Sequence, residues 1–193
     1  MKLSDKLAEA LENVQIARRQ LDFAIKLLTF CELGRITPSD FDRNIIVRLG
    51  KEELCLPSGS FSDARNIHRA ASVCVLTAFG VSVLALDQAF DAAGMKANPE
   101  ASDQIGQLRV LIYMMRCAHA HAIAAPRWNV TNKKFQRTLE FNLDGVSIVL
   151  NLQAKNKSLF DVAEIGGYKN WYRMFEAATR ALRTKDLAVS PIL

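Results

Sequence analysis

The sequence predicts a mainly α-helical protein, a bundle of about four long helices with a β-hairpin inserted between the third and fourth. Three observations carry that expectation. Apolar residues recur at three- and four-residue steps over long stretches, as one face of a helix requires. The 17 residues from Ala70 to Leu86 include no charge. Asp144-Gly145 separates two runs of alternating apolar and polar residues, a strong short-range hairpin signal because both central residues of that turn take positive φ readily.

The elements follow in order. Ser4 to about Leu33 reads as a helix whose apolar stripe is Leu7, Leu11, Val14, Ala17, Leu21, Ala24 or Ile25, and Leu28, with Gly34 as its stop. Thr37-Pro38-Ser39-Asp40 is turn chemistry. A short hairpin about Gly50-Lys51 is expected to join Asn44–Leu49 to Leu54–Pro57. Ser62 opens a second helix that runs to about Ala93, before Gly94 and Asn98-Pro99. Its uncharged centre sits at the lower limit for a membrane span and includes Ser72, Thr77, Gly80 and Ser82 without aromatic anchors. A buried core helix is therefore expected, with no membrane partner. Ser102 or Asp103 caps a third helix through Leu108, Leu111, Ile112 and Met115 to about Ala124, ahead of Pro126. Trp128–Val130, Phe135–Leu143 and Val146–Leu152 are strand-like. After the Gly166-Gly167 break, Tyr168–Arg183 returns to helical spacing through Trp171, Met174 or Phe175, Ala178 and Leu182. The whole reads as a single domain, 1–193, with the hairpin insertion around 127–153.

Composition narrows the function classes. With 193 residues, 50% hydrophobic and 23% charged, the chain is globular and neither disordered nor fibrous. Its net charge of +5 is unevenly placed. Met1 to Pro126 holds 14 basic and 14 acidic residues, whereas Arg127 to Leu193 holds 11 basic and 6 acidic. An anionic partner such as RNA is expected at the C-terminal third. Cys31, Cys55, Cys74 and Cys117 are too scattered for a zinc site, and reduced, mostly buried thiols are expected. The opening residues mix charges and lack the apolar run of a signal peptide, so a cytoplasmic location is expected and the sequons at Asn129 and Asn156 lose their meaning. Lys155–Ser158 lacks the glycines of a phosphate loop, and Met114 and Met115 read as packing. Asp87 and Asp91, one turn apart near a helix end, read as ordinary surface acids. No metal or cofactor is expected.

The chemistry-bearing stretch is Tyr113-Met114-Met115-Arg116-Cys117-Ala118-His119-Ala120-His121. Two of the three histidines lie within five residues of one arginine. Imidazole exchanges protons near neutrality, and a guanidinium holds phosphate through paired hydrogen bonds. Together they suit RNA cleavage in which the ribose 2′-hydroxyl attacks the adjacent phosphorus. At about 100° per residue a regular helix sets His119 roughly 60° from Arg116 and His121 roughly 140° from it. Convergence of Arg116 and His121 then needs the helix to loosen, or a second copy to supply the complement. Four further cations, Arg127, Lys133, Lys134 and Arg137, lie with Trp128 just downstream, where backbone contact and base stacking place such residues, and a plain basic loop with Trp128 packed into the core fits the same stretch equally. The third histidine, His68, stands with Arg65 and Arg69 on what reads as solvated helix surface.

An arginine, four intervening residues and a histidine near the end of the third helix of a small helical protein resemble the signature of the HEPN superfamily (higher eukaryotes and prokaryotes nucleotide-binding). Arg116 and His121 match that motif. The resemblance implies a bundle of four or five helices that dimerises so that two motif copies form a metal-independent endoribonuclease site. It casts Arg116 and His121 as catalytic residues with His119 assisting, and RNA, a second copy and an antitoxin protein as partners of a toxin or defence component. The common family form carries Asn, Asp or another polar residue directly after the arginine, where this chain has Cys117. That departure leaves a second expectation, a non-catalytic module that binds RNA or a nucleotide or serves as a dimerising subunit of a larger complex.

Overall fold

The computed structural model describes residues 3–120, 122 and 125–189. Among these the protein is mainly helical, with two small antiparallel hairpins. The long helices are α1 (Leu3–Glu32), α3 (Ala64–Ala92), α4 (Gln104–His119) and α6 (Gly167–Val189), in the expected order. Two single-turn helices, α2 (Pro38–Phe41) and α5 (Leu152–Lys155), lie in the connections. α3 is long and apolar enough to cross a membrane, yet 56% of its most apolar window is buried inside the protein, as in a core helix.

α4 ends at His119, short of the expected Ala124. Its last bond runs from the Ala120 amide to the Arg116 carbonyl, and the Arg127 amide then comes back to the Ala118 carbonyl at 3.3 Å. A returning strand of chain thus occupies a carbonyl that a longer helix would have used. The cysteines also depart in part from expectation: Cys31 and Cys117 are half-buried, but Cys55 and Cys74 are exposed.

The chain gathers into two compact units, Met1–Arg18 with Gly80–Leu193, and Arg19–Phe79. In the first, α3 buries Val83, Leu86 and Phe90, α4 buries Leu108, Leu111, Ile112 and Met115, and α6 buries Trp171, Met174, Phe175, Ala178 and Leu182. Strands β3 (Thr138–Leu143) and β4 (Val146–Asn151) pair with Leu139 opposite Leu150 and Phe141 opposite Ile148, all buried. Their two-residue turn has φ 53° at Asp144 and 73° at Gly145, the double positive φ that the dipeptide predicts. Gln104 and Gln107 of α4 accept hydrogen bonds from the Asn142 and Glu140 amides at 2.7 and 2.8 Å, which ties the outer edge of β3 to the helix.

One charged cluster is buried in this unit. Arg109 of α4, 3% exposed, donates to Asp87 of α3 at 2.5 Å, to Asp91 at 2.8 Å and to the Met95 carbonyl at 2.9 Å. Asp87 is itself 5% exposed, which corrects its reading as a surface acid. In the second unit Leu21, Ala24, Ile67, Ala71, Val75, Ala78 and Phe79 are buried. The expected first hairpin forms there as β1 (Ile45–Leu49) and β2 (Glu52–Leu56), with Gly50 at φ 65° in the first central position of the turn.

Arg109→Ala leaves the Asp87 carboxylate buried without its main counter-charge, a loss of about 3–5 kcal/mol. Urea unfolding of the two proteins side by side is expected to show that difference as a lower midpoint.

Candidate nucleic-acid interface

Arg116 lies three residues before the end of α4 with its side chain 44% exposed, on a helix that buries ten of its residues. Its Nε stands 3.7 Å from Oδ2 of Asp87, whose other oxygen is taken by Arg109. The guanidinium therefore rests against a fixed, buried carboxylate while its outer edge faces solvent. One turn earlier, the phenol of Tyr113 is pushed up in pKa, first by the Cys117 thiol beside it and then by burial. His121 lies outside the described residues.

His119 occupies a different environment from Arg116. Its ring is 6% exposed, and Nδ1 donates to the Met115 carbonyl at 2.9 Å, since a carbonyl can only accept. The ring meets Phe160 edge-on at 5.2 Å. On its other side it presses on Gly80 of α3, where an added Cβ would stand 2.8 Å from the imidazole Cδ2. Burial pulls the His119 pKa below its ordinary 6.5, with the Met115 bond opposing. His119 is thus the ring that closes α4 onto α3, a role that the sequence does not announce. The one signal is Gly80 itself, a glycine inside a helical run.

The basic stretch divides. Trp128 is 1% exposed, donates from Nε1 to Glu164 at 2.6 Å and packs edge-on against Phe160 at 5.2 Å. It has no open face on which a base can stack, which corrects that expectation: the ring is large enough to fill the core and Glu164 satisfies its one donor. Trp128–Val130 is also no strand. The Trp128 amide donates to the Ser158 carbonyl and the Lys157 amide to the Trp128 carbonyl, next to a single bridge between Arg127 and Leu159. Arg137 is half-buried and donates to the Pro99 and Ala101 carbonyls, so it clamps the loop before α4. Arg127, Lys133 and Lys134 are exposed.

Two contacts bring these exposed cations back to α4. The Arg127 amide reaches the Ala118 carbonyl, and Phe135, at the end of the 3-10 turn Lys133–Phe135, sets its ring 5.2 Å from that of Tyr113. Both flank the turn that carries Arg116. Among the described residues, no group of three or more His, Cys, Asp or Glu is placed to hold a metal ion. His68 remains on the surface of the second unit, 52% exposed, with Glu32 at 3.8 Å, and Arg65 pairs with Asp63 at 2.5 Å.

Compared with known proteins, the chain matches no family model, no curated protein and no solved structure.

Two outcomes follow from the His119 environment. Because its folded pKa lies below 6.5, the unfolded chain binds the extra proton first, so stability is full above pH 6.5 and falls as the pH drops below it. The fall is at most about 1.4 kcal/mol per pH unit for one proton, and it is expected to vanish in His119→Gln when denaturant midpoints are compared from about pH 7.5 to about pH 5.5. Gly80→Ala forces the buried imidazole to move. It is expected to destabilise by about 1–3 kcal/mol despite the better helix propensity of Ala, as a lower thermal midpoint will report.

Proposed function

We propose that the chain is an HEPN-like, metal-independent endoribonuclease acting at Arg116 and His121, and that its helices form the bundle characteristic of that superfamily. The observation that carries the reading is the return of the basic segment to α4: Arg127 and the Lys133–Phe135 turn flank the helical turn bearing the half-exposed Arg116. The Arg127 backbone and the Phe135 ring thus each meet α4 within three residues of Arg116 in the chain, which supports a shared basic surface of the kind a polyanionic backbone needs.

In this scheme Arg116 binds the scissile phosphate and stabilises charge as it grows on the non-bridging oxygens. His121 takes the proton from the ribose 2′-hydroxyl. The 2′-oxygen forms its bond to phosphorus, the bond to the 5′-oxygen breaks, and the leaving oxygen gains a proton. The products are a 2′,3′-cyclic phosphate and a 5′-hydroxyl. Lys133, Lys134 and Arg127 hold the backbone on either side, while His119 supports the site by locking α4 in place. The partners that go with this reading are RNA, a second copy of the chain and an antitoxin-type protein, in a cytoplasmic toxin or defence role.

A second reading, an RNA-binding module without cleavage, is favoured by the Asp87 carboxylate already facing Arg116 and by Cys117 in the position after it. One assay separates the two. Single-stranded RNA or tRNA incubated with the purified protein in excess EDTA is expected to yield cyclic-phosphate ends, and Arg116→Ala and His121→Ala are each expected to lower the rate by about 100-fold or more. Salt-sensitive binding without cleavage supports the binding module, whereas full activity in His121→Ala overturns the catalytic assignment.

A further inference from the structure

One residue beside Arg127 sits in a backbone conformation that its side chain does not favour. Residues 155–158, at the end of α5, form a turn closed by a 2.9 Å bond from the Ser158 amide to the Lys155 carbonyl. Asn156 has φ −51° and ψ 127°, and Lys157 has φ 68°. These are the angles of a type II turn, whose third residue is ordinarily glycine because a Cβ crowds the left-handed region. Among the described residues at positive φ, seven are glycine and one is Asp144, a short polar side chain at home in a hairpin turn. The remaining one is Lys157.

No hydrogen bond of the turn uses the lysine side chain. The Lys157 amide donates to the Trp128 carbonyl at 2.8 Å, and the Lys157 carbonyl accepts from Arg127 Nη1 at 3.1 Å; glycine would supply both groups equally. Lys157 is exposed, and among the described residues no carboxylate lies in ion-pair range of it or of Arg127. The acids nearest in the chain are engaged elsewhere: Glu164 holds Lys155 at 2.5 Å and the Trp128 indole, and Asp161 accepts from the Ala163 amide at 2.8 Å. Two cations without a counter-charge are thus neighbours, the Arg127 guanidinium lying against the Lys157 peptide. The bond from the Arg127 amide to the Ala118 carbonyl sets this pair at the end of α4.

We propose that Lys157 and Arg127 form a phosphate-binding site for the RNA backbone, and that Lys157 is kept at a glycine position for its ammonium group. The strained backbone carries the inference, because a residue held where its side chain is unfavourable and structurally idle points to use of that side chain elsewhere. The site rests on the RNA reading of Arg116 and extends it to a residue outside both the Arg116-to-His121 motif and the run from Arg127 to Arg137. The two cations act differently. With one hydrogen of Nη1 on a carbonyl, the planar guanidinium keeps its other N–H groups for phosphate oxygens, while the ammonium adds a compact charge on a flexible stem. An exposed pair of this kind is too open to enclose a free phosphate ion, but it suits one point along a chain of phosphates. Neither contact reads a base, so the site holds single strands irrespective of sequence and its affinity falls with salt.

Fluorescence anisotropy of the full chain with a mixed-sequence, 2′-O-methylated single-stranded RNA measures binding without cleavage, since no 2′-hydroxyl is left to attack. Lys157→Gly and Lys157→Asn, both suited to the left-handed turn position, are each expected to weaken binding about fivefold in about 0.1 M salt and to lower the slope of log affinity against log salt by about 0.7, the value of one single-strand phosphate contact. Lys157→Arg is expected to bind as the wild type does. The thermal midpoint of Lys157→Gly is expected to equal or exceed that of the wild type, because glycine relieves the turn. Lys51→Gln, which removes the same charge from the second unit, is expected to leave affinity and slope unchanged. Undiminished binding or an unchanged slope in both Lys157→Gly and Lys157→Asn overturns this site and leaves the RNA reading standing, as does an equal loss in Lys51→Gln. A lower midpoint in Lys157→Gly also overturns it, because the side chain then serves the fold. A wild type that does not bind the probe overturns the site and the RNA reading together.

Discussion

The first unit depends on the buried contact between Asp87 of α3 and Arg109 of α4. Taking both charges out of water is costly, and the cost is offset only when every donor and acceptor finds a partner. Here Arg109 spends its fork on Asp87, Asp91 and the Met95 carbonyl, and lies within 5.4 Å of the Phe90 ring centre. Such a pair tolerates little change in the crossing of its two helices. It also leaves one Asp87 oxygen facing Arg116, so the same carboxylate that locks α3 to α4 stands 3.7 Å from a half-exposed guanidinium.

Around that lock, long polar side chains do the fastening that regular secondary structure does not. Gln104 and Gln107 reach from α4 to the amides of β3, Arg137 holds the carbonyls of Pro99 and Ala101, and Glu164 takes both the Trp128 indole and the Lys155 ammonium. Each of these satisfies a backbone or buried group that an irregular connection would otherwise leave unpaired. Their combined effect is to bring the segment from Arg127 to Arg137 back along α4. The same fastening consumes Trp128 and Arg137, while Arg127, Lys133 and Lys134 stay exposed.

The two hairpins show how little turn chemistry alone decides. Both have two-residue turns with glycine at positive φ, and both alternate apolar with polar residues on at least one face. β3–β4 buries its apolar side within the first unit, where its strands meet α4 and α6, whereas β1–β2 keeps its apolar side in solvent. The difference lies in what each ribbon is packed against, which no local signal encodes.

Helix number, order and most boundaries were legible in the sequence, because the spacing of apolar residues and the turn chemistry of Gly34, Gly94 and Asp144-Gly145 are local properties of the chain. So was the candidate motif as a string of residue types. Arg109 stands between Leu108 and Val110, a sign of a buried partner, but only the crossing of two helices shows that the partner is Asp87. The early end of α4, the pressing of His119 on Gly80, and the burial of Trp128 were likewise decided by tertiary structure. Each depends on contacts between segments far apart in the chain, and a pattern of neighbours carries no record of which distant surface a side chain will find.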